Sequence, residues 1–264
     1  MQIVDIGKGE PVVFIPGLHG RWEYTGRAVA ELAKSCRVIT FSLADEPSTG
    51  CVFDRGRAMA SYVAQVGGAL DQAGVRVAAL CGVSFGGAIV LEFAAAHPDR
   101  VSAIILASTP GPHWHPDPEQ AASIRYPRLT AVIFFARLPR RVRPELRRAL
   151  PRFRDRLALG LATLRTLLRA PVSPVRMAAR ARAIDSSRLA SIAGAIRVPA
   201  LIIVGEASLD RVVPAGGTAE YARVIPGATL TLMDDTGHQG SITKPNAFAG
   251  IVSTYLKGAH HAAA

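Results

Sequence analysis

The chain has 264 residues, of which 49% are hydrophobic and 19% charged, with a formal charge of +11. This composition supports a full-sized core and excludes an intrinsically disordered chain. Three cysteines without a CxxC pair (Cys36, Cys51, Cys81) exclude a zinc module or a disulfide framework. The start MQIVDIGKGEP is no secretory leader, and the longest uncharged central run (77–91) is too short for a membrane span, so the expectation is a soluble protein of the reducing cytoplasm.

The first apolar β-branched run, Val12 to Ile15, reads as a strand stopped at Pro16-Gly17. Arg37 to Leu43 reads as a second strand. Asp54 to Ala73 has helical periodicity and ends at Gly74. Val75 to Cys81, apolar apart from Arg76, reads as a strand of the kind buried on both faces of a parallel sheet. Ser84 to His97 predicts a helix closed by Pro98, and Val101 to Ala107 another buried strand.

From Pro110 to Ala195 the pattern becomes helical, with breaks expected at Pro139, Pro144, Pro151, Pro171 and Pro174. This stretch reads as short helices inserted between two strands and packed over one edge of the sheet. It also holds the charge excess. Arg137 to Arg188 contains fifteen arginines and three acids, a balance of +12 that leaves the rest of the chain at −1. Such a segment can meet nucleic acid, an anionic membrane surface or acidic substrates. However, it lacks the interleaved aromatics of single-strand binders, and 27 arginines against 4 lysines also fit GC-rich codon usage. No nucleic-acid partner is expected.

Alternation then resumes. Ala200 to Val204 is a strand, Ala215 to Val224 a helix, Thr229 to Met233 a strand and Pro245 to Leu256 a helix, followed by a frayed tail from Gly258. Strand and helix in alternation predict an α/β architecture with a mostly parallel central sheet flanked by helices.

The sharpest motif is Gly82-Val83-Ser84-Phe85-Gly86, a G-x-S-x-G where a buried strand passes into a helix. A serine there sits on a tight turn with its hydroxyl above the sheet, and the helix start adds partial positive charge. The alternative is a glycine-rich turn with an incidental serine. A serine nucleophile needs a base. Of the seven histidines, His238 in Asp235-Thr236-Gly237-His238 is best placed, on the loop after the last strand. Asp210, after the penultimate strand, is the candidate acid, with Glu206 of the same loop as runner-up. An oxyanion hole needs two backbone N–H groups, which Phe85 and Leu18 are placed to supply. His113 and His115 are spaced like metal ligands but lack a third partner, so no metal and no organic cofactor are expected.

The segments FIPGLHG (14–20), GVSFGG (82–87), HPDRVSAIIL (97–106), VGEASLDRVVP (204–214) and TGH (236–238) together resemble the α/β-hydrolase family, in its serine carboxylesterase and lipase-like branch. The resemblance spans nearly the whole chain. It implies Ser84 as nucleophile, His238 as base, Asp210 as orienting acid and the Leu18 and Phe85 amides as oxyanion hole. It implies a hydrolase core of residues 1–109 and 196–264 and a helical, Arg-rich cap of residues 110–195. Serine at position 84 argues against the related dehalogenase and epoxide hydrolase branches, which place aspartate there. Pro16-Gly17 stands where His-Gly is frequent, and Val83 where His is common.

The expected reaction is ester hydrolysis through an acyl-enzyme. Acyl transfer, peracid formation and carbon–carbon bond hydrolysis use the same triad, and a non-catalytic ligand-binding relative keeps the fold. The expected partner is a small acyl ester, bound with help from His19, Trp22, Phe134 and Phe135. At helical spacing, the apolar stretch around Phe134 and Phe135 is more often plain cap core than an acyl pocket. Membrane contact through the basic cap, and a monomer or homodimer, complete the expectations.

Overall fold

The computed structural model describes residues 1–263, apart from the side chains of Phe134, Ser186, Ser187 and residues 260–263. One seven-stranded sheet forms the centre. Its strands are β1 (Val4–Gly7), β2 (Pro11–Ile15), β3 (Arg37–Thr40), β4 (Ala78–Val83), β5 (Val101–Ala107), β6 (Ala200–Gly205) and β7 (Thr229–Met233). The order across the sheet is β1-β3-β2-β4-β5-β6-β7. Only β1 runs antiparallel, against β3; every other neighbouring pair is parallel.

The helices are α1 (Gly26–Leu32), α2 (Ala58–Gln72), α3 (Phe85–Ala96), α4 (Pro118–Arg125), α5 (Pro127–Ala149), α6 (Phe153–Arg169), α7 (Pro174–Arg182), α8 (Ser186–Ala193), α9 (Ala215–Val224), α10 (Gly240–Thr243) and α11 (Pro245–Ala263). Alternate residues of each central strand enter opposite cores. Val13, Ile15, Leu80, Ile104 and Ile202 pack toward α2, α3 and α9. Val12, Phe14, Cys81, Ile105 and Ile203 pack toward α1 and α11. Both faces are covered, so these strands are almost wholly apolar, with Ser102 of β5 the polar exception.

The direction of winding reverses between β2 and β4. Consecutive crossovers leave these neighbours toward opposite sides, which opens a crevice at their carboxyl ends. Register brings the ends level, with Ile15 beside Gly82. The residues after them, Pro16 to Gly20 and Ser84, therefore meet at the mouth of the crevice.

Between β5 and β6 the chain runs through α4 to α8. Pro151 separates α5 from α6, Pro171 precedes α7, and Pro174 is the first residue of α7. Pro139 and Pro144 instead lie inside the continuous helix α5. Each proline removes one backbone donor from the helix ladder, and the helix runs on through both. The tail expected to fray continues α11 to Ala263. No helix among the described residues is long and apolar enough to cross a membrane.

Candidate active site

Ser84 joins β4 to α3 with φ 54° and ψ −121°. A non-glycine residue held there costs on the order of 1–3 kcal/mol and persists only where its surroundings dictate it. The surroundings are firm. The Ser84 amide donates to Ala107 on β5 (2.8 Å), and the Ser84 carbonyl accepts from Gly87 (2.9 Å).

The glycines on either side make the turn possible. A Cβ on Gly82 would strike the Gly86 carbonyl, and a Cβ on Gly86 would strike the Ile15 carbonyl and lie 2.8 Å from the Pro16 oxygen. All of these are backbone atoms, which cannot swing aside. Gly86→Ala is therefore expected to cost roughly 3 kcal/mol, measured as a lower urea midpoint, with activity falling as the turn is displaced.

His238 follows β7 and is 8% exposed. Its Nε2 stands 3.2 Å from Ser84 Oγ. Its Nδ1 faces Asp210 Oδ2 at 3.5 Å, too long for a formed hydrogen bond, and no other partner serves Nδ1 among the described residues. Catalytic hydrogen bonds in ligand-free sites are often this loose and tighten when substrate arrives. Asp210 Oδ1 accepts from the amides of Val212 and Val213, each at 3.0 Å. These two bonds leave Oδ2 for His238. Burial would raise the Asp210 carboxyl, but His238 and the two amides outweigh it and hold the group below its ordinary value.

Glu206, the other acid of this loop, is occupied elsewhere. Its Oε1 accepts from the Asp235 amide at 2.7 Å and ties the β6 loop to the β7 loop. Among the two acids, the geometry brings only Asp210 to His238.

Phe85 opens α3, so its N–H has no acceptor within the helix. The loop carrying Leu18 lies against Ser84, since a Cβ built on Gly17 would be 3.3 Å from Ser84 Cβ. A turn closed by Gly20 N–H on the Gly17 carbonyl (2.9 Å) shapes this loop. His19 stands in the same turn, partly buried, with Nδ1 accepting from the Arg21 amide at 3.4 Å and its ring 4.9 Å from Tyr24. Desolvation, then the positive charge of Arg180, push its imidazole from 6.5 down to about 4. The folded state thus refuses a proton that the unfolded chain accepts between those values, and stability rises with pH across that window. His19→Asn is expected to flatten this rise, read by comparing urea midpoints at the two ends of the window.

Trp22 begins a short turn (22–25) before α1, where its carbonyl accepts from Thr25 at 3.0 Å. Phe135 stands on α5 with 37% of its surface exposed. The side chain of Phe134 lies outside the described residues.

Two residues of the inserted helices reach the site without having been expected there. Glu145, the one acid of α5, is 1% exposed, and its carboxylate accepts from the Gln239 amide at 2.9 and 3.0 Å. Burial pushes its carboxyl up against the lowering effect of backbone donors and of His238. Arg180 on α7 is wholly buried. It donates to the Leu18 carbonyl (2.9 Å) and pairs with Asp45 (2.7 Å) and Glu46 (2.5 Å). The sequence signal for Glu145 is faint: a lone acid within an arginine-rich helix.

A parallel sheet with a strained serine at its switch point, a histidine on the last strand's loop and an aspartate on the preceding one define one class of protein. A family model for the alpha/beta hydrolase fold matches residues 10–245. The chain belongs to that family. It is 29% identical to the 2-hydroxymuconate semialdehyde hydrolase of Pseudomonas sp. (strain CF600), over 98% of this chain and 91% of that protein. It is structurally similar to the enol-lactonase of Burkholderia xenovorans LB400, with a TM-score of 0.79 and 23% identity over 97% of this chain and 96% of that one. It is also similar to a thermophilic esterase from Thermogutta terrifontis, with a TM-score of 0.74 and 23% identity over 98% and 93% of the two chains.

Proposed function

We propose that the protein is a serine hydrolase that cleaves carboxylic esters through an acyl-enzyme. The observation that carries this reading is the 3.2 Å approach of His238 Nε2 to the hydroxyl of Ser84, on a residue held at φ 54°. In this reading His238 takes the Oγ proton as Ser84 forms a bond to the acyl carbon. The carbonyl oxygen becomes an oxyanion, met by the N–H groups of Leu18 and Phe85. The C–O bond then breaks, and His238 gives its proton to the departing alkoxide. Water enters, His238 takes one of its protons, and the hydroxide attacks the acyl carbon. Ser84 leaves with the proton from His238, and the acid is released.

Asp210 holds the imidazole in the tautomer that bares Nε2 and offsets the charge of the imidazolium. Asp210→Asn is therefore expected to lower kcat by about 10³- to 10⁴-fold, with KM little changed, in steady-state ester hydrolysis. His19, kept neutral within the oxyanion loop, orients the substrate, with help from Trp22 and Phe135. The helices of residues 110–195 act as a cap, and Glu145 and Arg180 fasten it to the His238 loop and the Leu18 loop. No metal or organic cofactor enters the reaction.

The same residues suit carbon–carbon bond hydrolysis. The similarity to a 2-hydroxymuconate semialdehyde hydrolase over nearly the whole chain favours that as the second reading. Turnover of p-nitrophenyl esters from acetate to palmitate tests the first reading, and the preferred chain length sizes the acyl site. Folded protein that turns over no ester, but cleaves a vinylogous 1,5-diketone, would replace the first reading with the second.

A further inference from the structure

We infer that α6 lies on anionic lipid surfaces. This helix buries only Leu159. Leu167, 40% exposed, flanks a stripe of five other large apolar residues that point into solvent: Phe153 is 71% exposed, Leu157 51%, Leu161 47%, Leu164 51% and Leu168 77%. Their spacing of four, four, three and four residues places all five within an arc of about 80°, at about 100° per residue. Leu159 projects from the opposite side of the helix. The stripe is thus not a core face awaiting the rest of the fold, because the fold already holds the other face. The far end of the helix is fastened, with Ala170 buried and its carbonyl accepting from the Tyr24 hydroxyl at 2.9 Å.

The charge around the stripe selects its occupant. Arg152, just before α6, and Arg154, Arg165 and Arg169 on it are exposed, and Asp155 is the only acid of the helix. Arg154 and Arg165 border one edge of the arc. A helix with leucines on one side and arginines beside them inserts its apolar face below the headgroups while the guanidiniums reach the phosphates. A second copy of the chain would bring the same arginine rows face to face, within a protein of net charge +11. Nucleic acid would satisfy the arginines and leave five large apolar side chains in water. An anionic bilayer satisfies both sets. Separately, the first half of α5 exposes Leu129, Val132 and Ile133, with Arg128. The inference does not depend on the reaction at Ser84, and Ser84→Ala is expected to bind vesicles as the wild type does.

The test is flotation of the full chain with vesicles of phosphatidylcholine alone, or containing about 30% phosphatidylglycerol. Binding to the anionic vesicles is expected to be at least about tenfold tighter than to the neutral ones and weaker at high salt. The triple variant Leu157→Ser, Leu161→Ser, Leu164→Ser is expected to lose at least about tenfold of that binding. Its circular dichroism and its turnover of a soluble p-nitrophenyl ester should stay unchanged. Absence of binding to anionic vesicles would overturn the inference. So would a leucine variant that binds as well as the wild type, which would leave charge attraction alone. A dimer that the leucine substitutions dissociate, with no vesicle binding, would assign the stripe to a second copy instead. Tight binding to a single-stranded oligonucleotide, with no vesicle binding, would assign the arginines to nucleic acid.

Discussion

Ser84→Ala is expected to lower kcat for ester hydrolysis by about 10⁴- to 10⁶-fold and to leave the fold intact. The loss is large because the variant removes the atom that bonds to the acyl carbon. His238 then has no hydroxyl to deprotonate, and only water at the oxyanion hole remains. The fold survives because the turn is held by the Ser84 backbone, through its amide on Ala107 and its carbonyl under Gly87, and by the glycines at 82 and 86. A companion variant separates strain from chemistry. Ser84→Gly is equally inactive but relieves the cost of φ 54°, and is expected to be about 1 kcal/mol more stable than Ser84→Ala. Parallel kinetics and urea unfolding of both variants check this. An alanine variant that retains ester turnover would remove Ser84 from the reaction.

Arg180→Met is expected to cost about 3–5 kcal/mol, because it leaves two carboxylates buried without their cation. The Arg180 side chain is 0% exposed, and those of Asp45 and Glu46 are 7% and 1% exposed. Arg176 also reaches Glu46, at 3.1 Å, and offsets part of the loss. The melting temperature should fall by roughly 10 °C. The companion Arg180→Met, Glu46→Gln should recover part of that fall, since it removes one of the stranded charges. Catalysis should suffer separately. Arg180 fixes the Leu18 carbonyl at 2.9 Å, and a loop released by a fraction of an ångström is expected to lower kcat by roughly tenfold or more at temperatures where the variant is folded. A variant that melts like the wild type would show that the buried cluster contributes little.

The parts of this protein that could be read from its sequence are those whose signal is local. β4, β5 and β6 are buried on both faces, so β4 and β6 are continuous apolar runs and β5 is interrupted only by Ser102. β7 is TLTLM, a β-prone run of five residues, although Leu230 and Leu232 are exposed. Ser84, Asp210 and His238 each stand on a loop that leaves the carboxyl end of such a strand, so finding the strands nearly located them. β1 escaped notice because Val4–Gly7 is an edge strand, mostly exposed, with an aspartate and a glycine in four residues. α1 starts on glycine and spans two turns, too little for a periodicity to emerge. Pro139 and Pro144 read as helix breaks because each removes a backbone donor, yet α5 runs through both.

Glu145 and Arg180 were illegible for a different reason. Their partners lie 94 residues away, at Gln239, and 134 residues away, at Glu46. In a segment with fifteen arginines, nothing local distinguishes the one that becomes fully buried. Position in the fold decides it: α7 crosses the loop that follows β2, where Gly20 leaves room for the guanidinium. A Cβ there would collide with Arg180.

The most direct test of the proposed chemistry is the site of labelling by a fluorophosphonate. An activated serine attacks phosphorus and expels fluoride, and the product mimics the tetrahedral intermediate. The expected result is a single adduct on the peptide that carries Ser84, absent in Ser84→Ala and slowed by at least about 10³-fold in His238→Asn. Folded wild-type protein that takes no label, or takes it on another residue regardless of Ser84, would contradict the account.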